Sequence, residues 1–125
     1  MKHALLFLAA FCAAAFGETP DLDRIDRELE AHNRAQQTGI CEVHHIRMAR
    51  KTVDVLYGYV EYEGPYTKAS VRFPNAQEYA SGGCVIPAKR EKASICVCPE
   101  CKKAARAWAF KHPKDEMAQG ILKGR

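Results

Sequence analysis

The sequence lacks any hydrophobic run long enough to cross a bilayer. Its longest apolar stretch, Ala4 to Phe16, has 13 residues, whereas a membrane-spanning helix needs about 20. Lys2 and His3 precede this stretch, a pattern typical of a secretory signal peptide cleaved before Glu18. We therefore expect residues 1–17 to be removed. The mature protein would then be periplasmic or secreted, with no transmembrane segment.

The sequence also lacks the motifs of familiar enzyme classes. No Ser/His/Asp arrangement, phosphate-binding glycine loop or paired carboxylate site can be assembled from it. Its hydrophobic content of 47% excludes a disordered chain. Cleavage before Glu18 leaves 108 residues, which suits one small domain. A domain of this size with a modest core often needs a disulfide or a metal ion for stability.

Charge is unevenly distributed along the chain. Loss of Lys2 with the signal peptide lowers the formal net charge from +4 to +3. Six of the fifteen acidic residues lie within residues 18–30, whereas residues 102–125 carry seven basic and two acidic side chains. The default interpretation of this basic region is a solvated face. In an exported protein, an unknown protein, an anionic lipid, a cell-wall polymer or the acidic segment itself suits it better as a partner than nucleic acid does.

Residues 18–39 form the first predicted element, an acidic amphipathic helix. Leu22, Ile25 and Leu29 recur at helical spacing and give one narrow apolar stripe. Thr19 is a suitable N-cap and Gly39 a suitable C-terminal stop. We expect a largely solvated helix lying on the domain, with a partner-binding helix as the alternative.

Residues 40–113 are predicted to form a single Cys/His-rich domain. A strand is expected at residues 51–60 and a short helix at 67–73. The Cys84–Ile86 segment and a strand over residues 93–97 would form a hairpin, followed by a helix to about His112. Residues 114–125 would be a loose, partly helical basic tail. The predicted fold is thus α+β, a small zinc-ribbon-like antiparallel sheet between an N-terminal and a C-terminal helix.

Cysteine and histidine carry the clearest chemical signal. Cys41-x2-His44 precedes one strand, and Cys98-x2-Cys101 ends another strand and opens a helix. Each spacing places two ligands on one side of a tight turn, and two such turns supply the four soft ligands of a tetrahedral zinc site. A closed site of this kind has no open position for water, so we predict structural zinc and no hydrolysis.

The remaining cysteines leave alternatives open. Cys84 and Cys96 are symmetric about the connection of the predicted hairpin, which favours a cross-strand disulfide. Alternatively, Cys84 replaces His44 as the fourth metal ligand and leaves Cys96 free, or it is a fifth candidate ligand. His45 is a weaker substitute for His44.

Two metal-free interpretations also remain. Cys98 and Cys101 can serve as a thiol–disulfide redox pair, because a helix N-terminus favours thiolate. The other is a purely disulfide-stapled binding protein, although the odd number of mature cysteines argues against a simple disulfide framework.

The motifs in order resemble a family of short bacterial proteins of unknown function. The resemblance covers about residues 41–108 and rests on the following series: Cys41-x2-His44, Tyr57-Gly58, Phe73-Pro74-Asn75, Gly82-Gly83-Cys84, Cys98-x2-Cys101 and Trp108. It implies that Cys84 belongs with the four predicted ligands in one constellation and that Cys96 is an addition. It implies no reaction.

Overall fold

The computed structural model describes residues 21–58 and 64–124. The predicted signal peptide and Thr19 lie outside them. The described residues confirm an α+β fold of four helices and one three-stranded sheet. The elements in chain order are α1 (Leu22–Thr38), β1 (Ala49–Leu56), α2 (Pro65–Ser70), β2 (Ala80–Ser81), β3 (Lys92–Val97), α3 (Pro99–Lys111) and α4 (Glu116–Lys123).

The sheet is mixed, with β1 in the centre. β3 pairs with β1 in an antiparallel ladder that begins with Ala49 opposite Val97. The short β2 pairs with β1 in the parallel direction. The expected antiparallel pairing is present between β1 and β3, and the parallel pairing of β2 makes the sheet as a whole mixed. Because β2 pairs with the C-terminal end of β1, the chain after α2 returns to that end of the sheet.

The predicted hairpin between residues 84–86 and 93–97 does not form. β3 pairs with β1, and residues 84–86 lie in an exposed loop where Val85 is 81% exposed. β1 offers six consecutive pairing positions to β3. The other segment has three residues before Pro87, which has no backbone N–H to donate to a ladder. The longer ladder therefore forms.

α1 begins and ends at capping residues. The Asp21 side chain accepts a hydrogen bond from the backbone N–H of Arg24, and Gly39 takes the left-handed conformation at the C-terminus. The predicted stop at Gly39 is confirmed. Leu22 and Leu29 are 67% and 56% exposed, so the predicted apolar stripe is solvated in this structure.

The core lies between α2, α3 and the loop after α2. Trp108 on α3 is buried and meets the Tyr66 ring edge-on at a centroid distance of 5.6 Å, with Phe73 close by. His112 at the end of α3 stacks on Trp108. Trp108 is therefore the anchor of this aromatic part of the core.

The C-terminal segment is more ordered than the sequence suggested. Asp115 caps α4 by accepting from the backbone N–H of Ala118, and the Ala118 side chain is fully buried. Met117, Ile121 and Leu122 pack partly against the core. This apolar face docks α4 on α3, where a loose tail was expected. None of the described helices combines the length and hydrophobicity that a membrane-spanning segment requires.

Candidate metal centre

The first predicted ligand pair lies in a tight turn between α1 and β1. An isolated bridge between Ile40 and Arg47 closes this turn, and the backbone N–H of Cys41 donates to the carbonyl of Ile46 at 2.9 Å. His45 adopts a positive φ of 54° and is exposed. The chain reverses at His45, so the turn includes His44 in the site and leaves His45 in solvent.

The second pair lies where β3 passes into α3. Cys98 is the N-cap of α3, and its sulfur accepts a hydrogen bond from the backbone N–H of Cys101 at 3.5 Å. Pro99 occupies the first turn of the helix, where no backbone N–H is needed. Because Cys98 caps α3 and Cys101 lies in its first turn, both sulfurs lie on the same side of this turn.

Strand pairing brings the two turns together. β1 begins at Ala49 directly after the first turn, and β3 ends at Val97 directly before the second. Ala49 and Val97 are paired opposite each other at this end of the ladder. His44 and Cys98 are separated by 53 residues in sequence, and the described part of that interval contributes the sheet and α2. The four ligand residues meet at one end of the β1–β3 ladder.

The four side chains converge on a single point. The ligand atoms of Cys41, His44, Cys98 and Cys101 all lie within 4.8 Å of one another. His44 Nδ1 is 3.6, 3.7 and 3.4 Å from the sulfurs of Cys41, Cys98 and Cys101, respectively. The sulfurs of Cys41 and Cys101 are 3.7 Å apart.

The three N···S distances and the Cys41–Cys101 distance match four of the six edges of a zinc tetrahedron. With Zn–S bonds of about 2.3 Å and a Zn–N bond of about 2.0–2.1 Å, tetrahedral angles give S···S edges of about 3.8 Å and S···N edges of about 3.5 Å. A disulfide would instead hold two sulfurs about 2.05 Å apart. A single ring nitrogen cannot donate one proton to three sulfurs, so hydrogen bonding alone does not explain the convergence.

The thiols are shielded from solvent. Cys41, Cys98 and Cys101 are each 0% exposed, whereas His44 is half-buried at the mouth of the group. Three protein sulfurs and one nitrogen leave no position for a fifth protein ligand or a reacting water. The arrangement could hold a metal ion, and burial keeps dissolved substrates away from the sulfurs.

Hydrogen bonding and burial act in opposite directions on the thiols. Burial alone would raise the pKa of Cys41, but hydrogen bonds from His44, Val43 and Asn75 together outweigh it and lower the pKa to about 7. The pKa of Cys101 is raised, chiefly by burial and further by the neighbouring sulfurs. A cation in the centre would supply the positive charge that several thiolates in one apolar site require.

Asn75 is the main residue of this region to which the sequence assigned no role. Its side chain is 2% exposed and donates to Cys41 Sγ at 3.5 Å and to the carboxylate of Glu42. Its backbone carbonyl accepts from the N–H of Cys98 at 2.9 Å. Asn75 therefore orients both ligand turns. The only signal was its place after Phe73 and Pro74, in the series that carries the family resemblance.

Gln36 connects α1 to the same network. Its amide nitrogen donates to Asn75 Oδ1 at 2.8 Å and to the carbonyl of Cys96, and its amide oxygen accepts from the Cys96 backbone N–H at 2.7 Å. Gln36 thus pairs with the open edge of β3 as a strand residue would. Only one residue of α1 makes this contact, so it leaves no periodic pattern in the sequence from which it could be predicted.

The predicted disulfide between Cys84 and Cys96 is absent. Both are free thiols, Cys84 exposed and Cys96 buried against α1. Cys96 pairs with Arg50 near the start of β1, whereas the chain just before Cys84 bonds to Leu56 at its end. These positions are about 20 Å apart along the strand. A disulfide needs a Cα separation of at most about 7 Å.

Cys84 is also outside the ligand group. The four clustered ligands do not include it, and it lies in the exposed loop at the far end of β1. The single constellation that the family resemblance implied, with Cys84 beside the other ligands, is therefore not formed in this structure.

No protein-family profile, curated protein or solved structure matches the chain significantly. The resemblance to a bacterial family of unknown function stays a prediction.

Proposed function

We propose that the protein binds one structural zinc ion through Cys41, His44, Cys98 and Cys101. The observation that carries this proposal is the convergence of three buried sulfurs and one imidazole nitrogen within 4.8 Å of one another, with the three N···S separations and the Cys41–Cys101 separation at tetrahedral edge lengths. Zinc would join the turn before β1 to the start of α3. It would thereby stabilise a domain whose own apolar core is small.

The burial of the sulfurs favours this function over thiol–disulfide exchange. Exchange requires an attacking thiolate that a substrate disulfide can reach, and Cys98 and Cys101 are both 0% exposed. The raised pKa of Cys101 disfavours its thiolate in the absence of a cation. A closed ligand set equally disfavours hydrolysis at the metal.

The direct test is the metal and thiol content of the protein purified without a chelator. We expect one zinc per chain and no disulfide among the five described cysteines. Cys84→Ser is the matched control, because it removes an exposed cysteine outside the ligand group and should leave zinc content unchanged. A protein without metal that contains two disulfides would refute the proposal.

The proposal includes export and an interaction surface. Its basis is the apolar segment at residues 4–16 with its basic start, together with the basic region at residues 102–125. Recovery of a chain beginning at Glu18 from the envelope or medium would support it. Recovery of a chain retaining residues 1–17 in the cytoplasm would contradict it. Export also means that zinc must bind before an oxidising compartment pairs the thiols.

A further inference from the structure

The first half of α1 is a helical segment without a partner in this structure. Every residue from 21 to 31 is exposed, while the helix is anchored to the domain near its other end by Ala35 and Gln36. An isolated helix of about 11 residues is marginal in water. A solvated stripe of Leu22, Ile25 and Leu29 therefore indicates a surface that another apolar surface covers.

Charge on this segment is sorted around the helix. At 3.6 residues per turn, Asp26 and Glu30 flank the apolar stripe on one side, and Arg24 and Arg27 fall on the opposite face. Arg24 pairs with Glu28 within the helix at 3.6 Å. The apolar stripe is thus bordered by carboxylates that have no ion-pair partner among the described residues.

The outer face of α3 has the complementary character. Pro99, Ala107 and Phe110 line a shallow apolar surface together with Lys103 and Arg106. Phe110 is 66% exposed. Lys103 lies 3.8 Å from Glu100 of the same helix, and Arg106 makes no ion pair with any described residue. This face spans 12 residues, about 18 Å, and the free segment of α1 spans about 16 Å, so the two surfaces match in length.

We propose that these two faces bind each other between two copies of the chain. Leu22, Ile25 and Leu29 of one copy would cover Phe110 of the other. Glu30 would pair with Arg106, and Asp26 would pair with Lys103. Within one copy the two faces do not meet, because both are exposed and Gln36 fixes α1 on β3. A two-fold arrangement would form the contact twice, which suits two surfaces that are each small.

A charge reversal with its compensating change tests this pairing. Sedimentation velocity of the purified zinc-loaded protein should show a concentration-dependent dimer that weakens as salt increases. Arg106→Glu and Glu30→Arg should each raise the dimer dissociation constant at least about tenfold. The double variant restores the opposite charges and should recover most of the affinity.

Lys111→Glu is the matched control, because it makes the same charge change on α3 outside this face and should leave dimerisation unchanged. A protein that stays monomeric to about 1 mM, a concentration that detects even weak association, would overturn the proposal. Dimers unaffected by either single variant, or losses that the double variant does not recover, would overturn it equally.

Discussion

At the residue scale, four side chains bring together two parts of the chain that are distant in sequence. Each of Cys41 and Cys101 supplies a fully buried sulfur to the candidate metal centre. Replacement of one sulfur leaves the other ligands without a complete tetrahedron, and the affinity for zinc depends on the whole set.

We expect Cys41→Ser and Cys101→Ser each to abolish stoichiometric zinc binding and to unfold the domain at ambient temperature. Cys96→Ser is a second control beside Cys84→Ser, since Cys96 is buried but bonds to Gln36 outside the ligand group. Metal analysis and circular dichroism measure the two effects. Full zinc content in Cys41→Ser would show that the site is assigned wrongly.

Asn75 acts on the centre through its neighbours. Asn75→Ala removes its hydrogen bonds to Cys41 and Glu42, and it removes one of the two acceptors of the Gln36 amide nitrogen. Loss of such an outer contact weakens metal binding about 10- to 100-fold, and an unsatisfied buried polar group costs about 1–3 kcal/mol of stability. We expect both effects in this variant.

Competition with a chromophoric chelator measures the affinity, and denaturant titration measures the free energy of unfolding. Asn33→Ala is the control, because Asn33 is exposed on α1. A zinc affinity equal to that of the wild type would show that Asn75 does not support the centre.

At the scale of elements, the chain approaches β1 closely at Gly82, just after β2. The backbone N–H of Gly82 donates to the carbonyl of Leu56 at 2.7 Å. A Cβ at Gly82 would stand 2.5 Å from the Val55 side chain and 2.3 Å from the Tyr57 ring. Only glycine permits this approach without a shift of β1 or of the loop.

Gly82→Ala should therefore destabilise the protein by about 1–3 kcal/mol, as overpacking does. Gly120→Ala is its counterpart, because a Cβ there meets nothing within 4 Å and the position is helical. It should stabilise α4 by about 0.4–1 kcal/mol. Chemical denaturation of both variants measures the difference, and equal stability of the two would refute this account of the packing.

The elements also show what the sequence could predict. Cys98-x2-Cys101 and Cys41-x2-His44 carry their own local geometry in their spacing, so the grouping of these four side chains could be predicted and is confirmed. β3 could pair with β1 or with residues 84–86, and the more stable of these two pairings forms. A local sequence pattern does not contain that comparison. The error over Cys84 and Cys96 followed from that choice.

At the scale of the whole molecule, zinc and fold are expected to depend on each other. The described core is small, and Cys41, Cys98 and Cys101 belong to it. A metal that binds only the folded state stabilises it in proportion to the logarithm of free zinc. Addition of a strong chelator should lower the melting temperature by more than about 10 °C, since 1 kcal/mol corresponds to about 4–8 °C in a domain of this size.

Acid should act in the same direction as the chelator. Zinc binds thiolates, and protons compete for them, so affinity decreases as pH falls. The pKa of Cys41 is lowered from 9.0 to about 7, so its ionised form is favoured above this value and is lost as pH falls through it. Zinc release monitored from pH 8 to pH 5 should increase steadily. Release that is independent of pH would contradict thiolate ligation.

The most direct test of the central claim is X-ray absorption at the zinc edge of the purified protein. The account predicts three sulfur ligands at about 2.3 Å and one nitrogen at about 2.0–2.1 Å, with no water in the first shell. In a chain with His44→Cys, the signal should change to four sulfurs. A native spectrum with oxygen ligands, or with fewer than three sulfurs, would contradict a closed Cys3His centre.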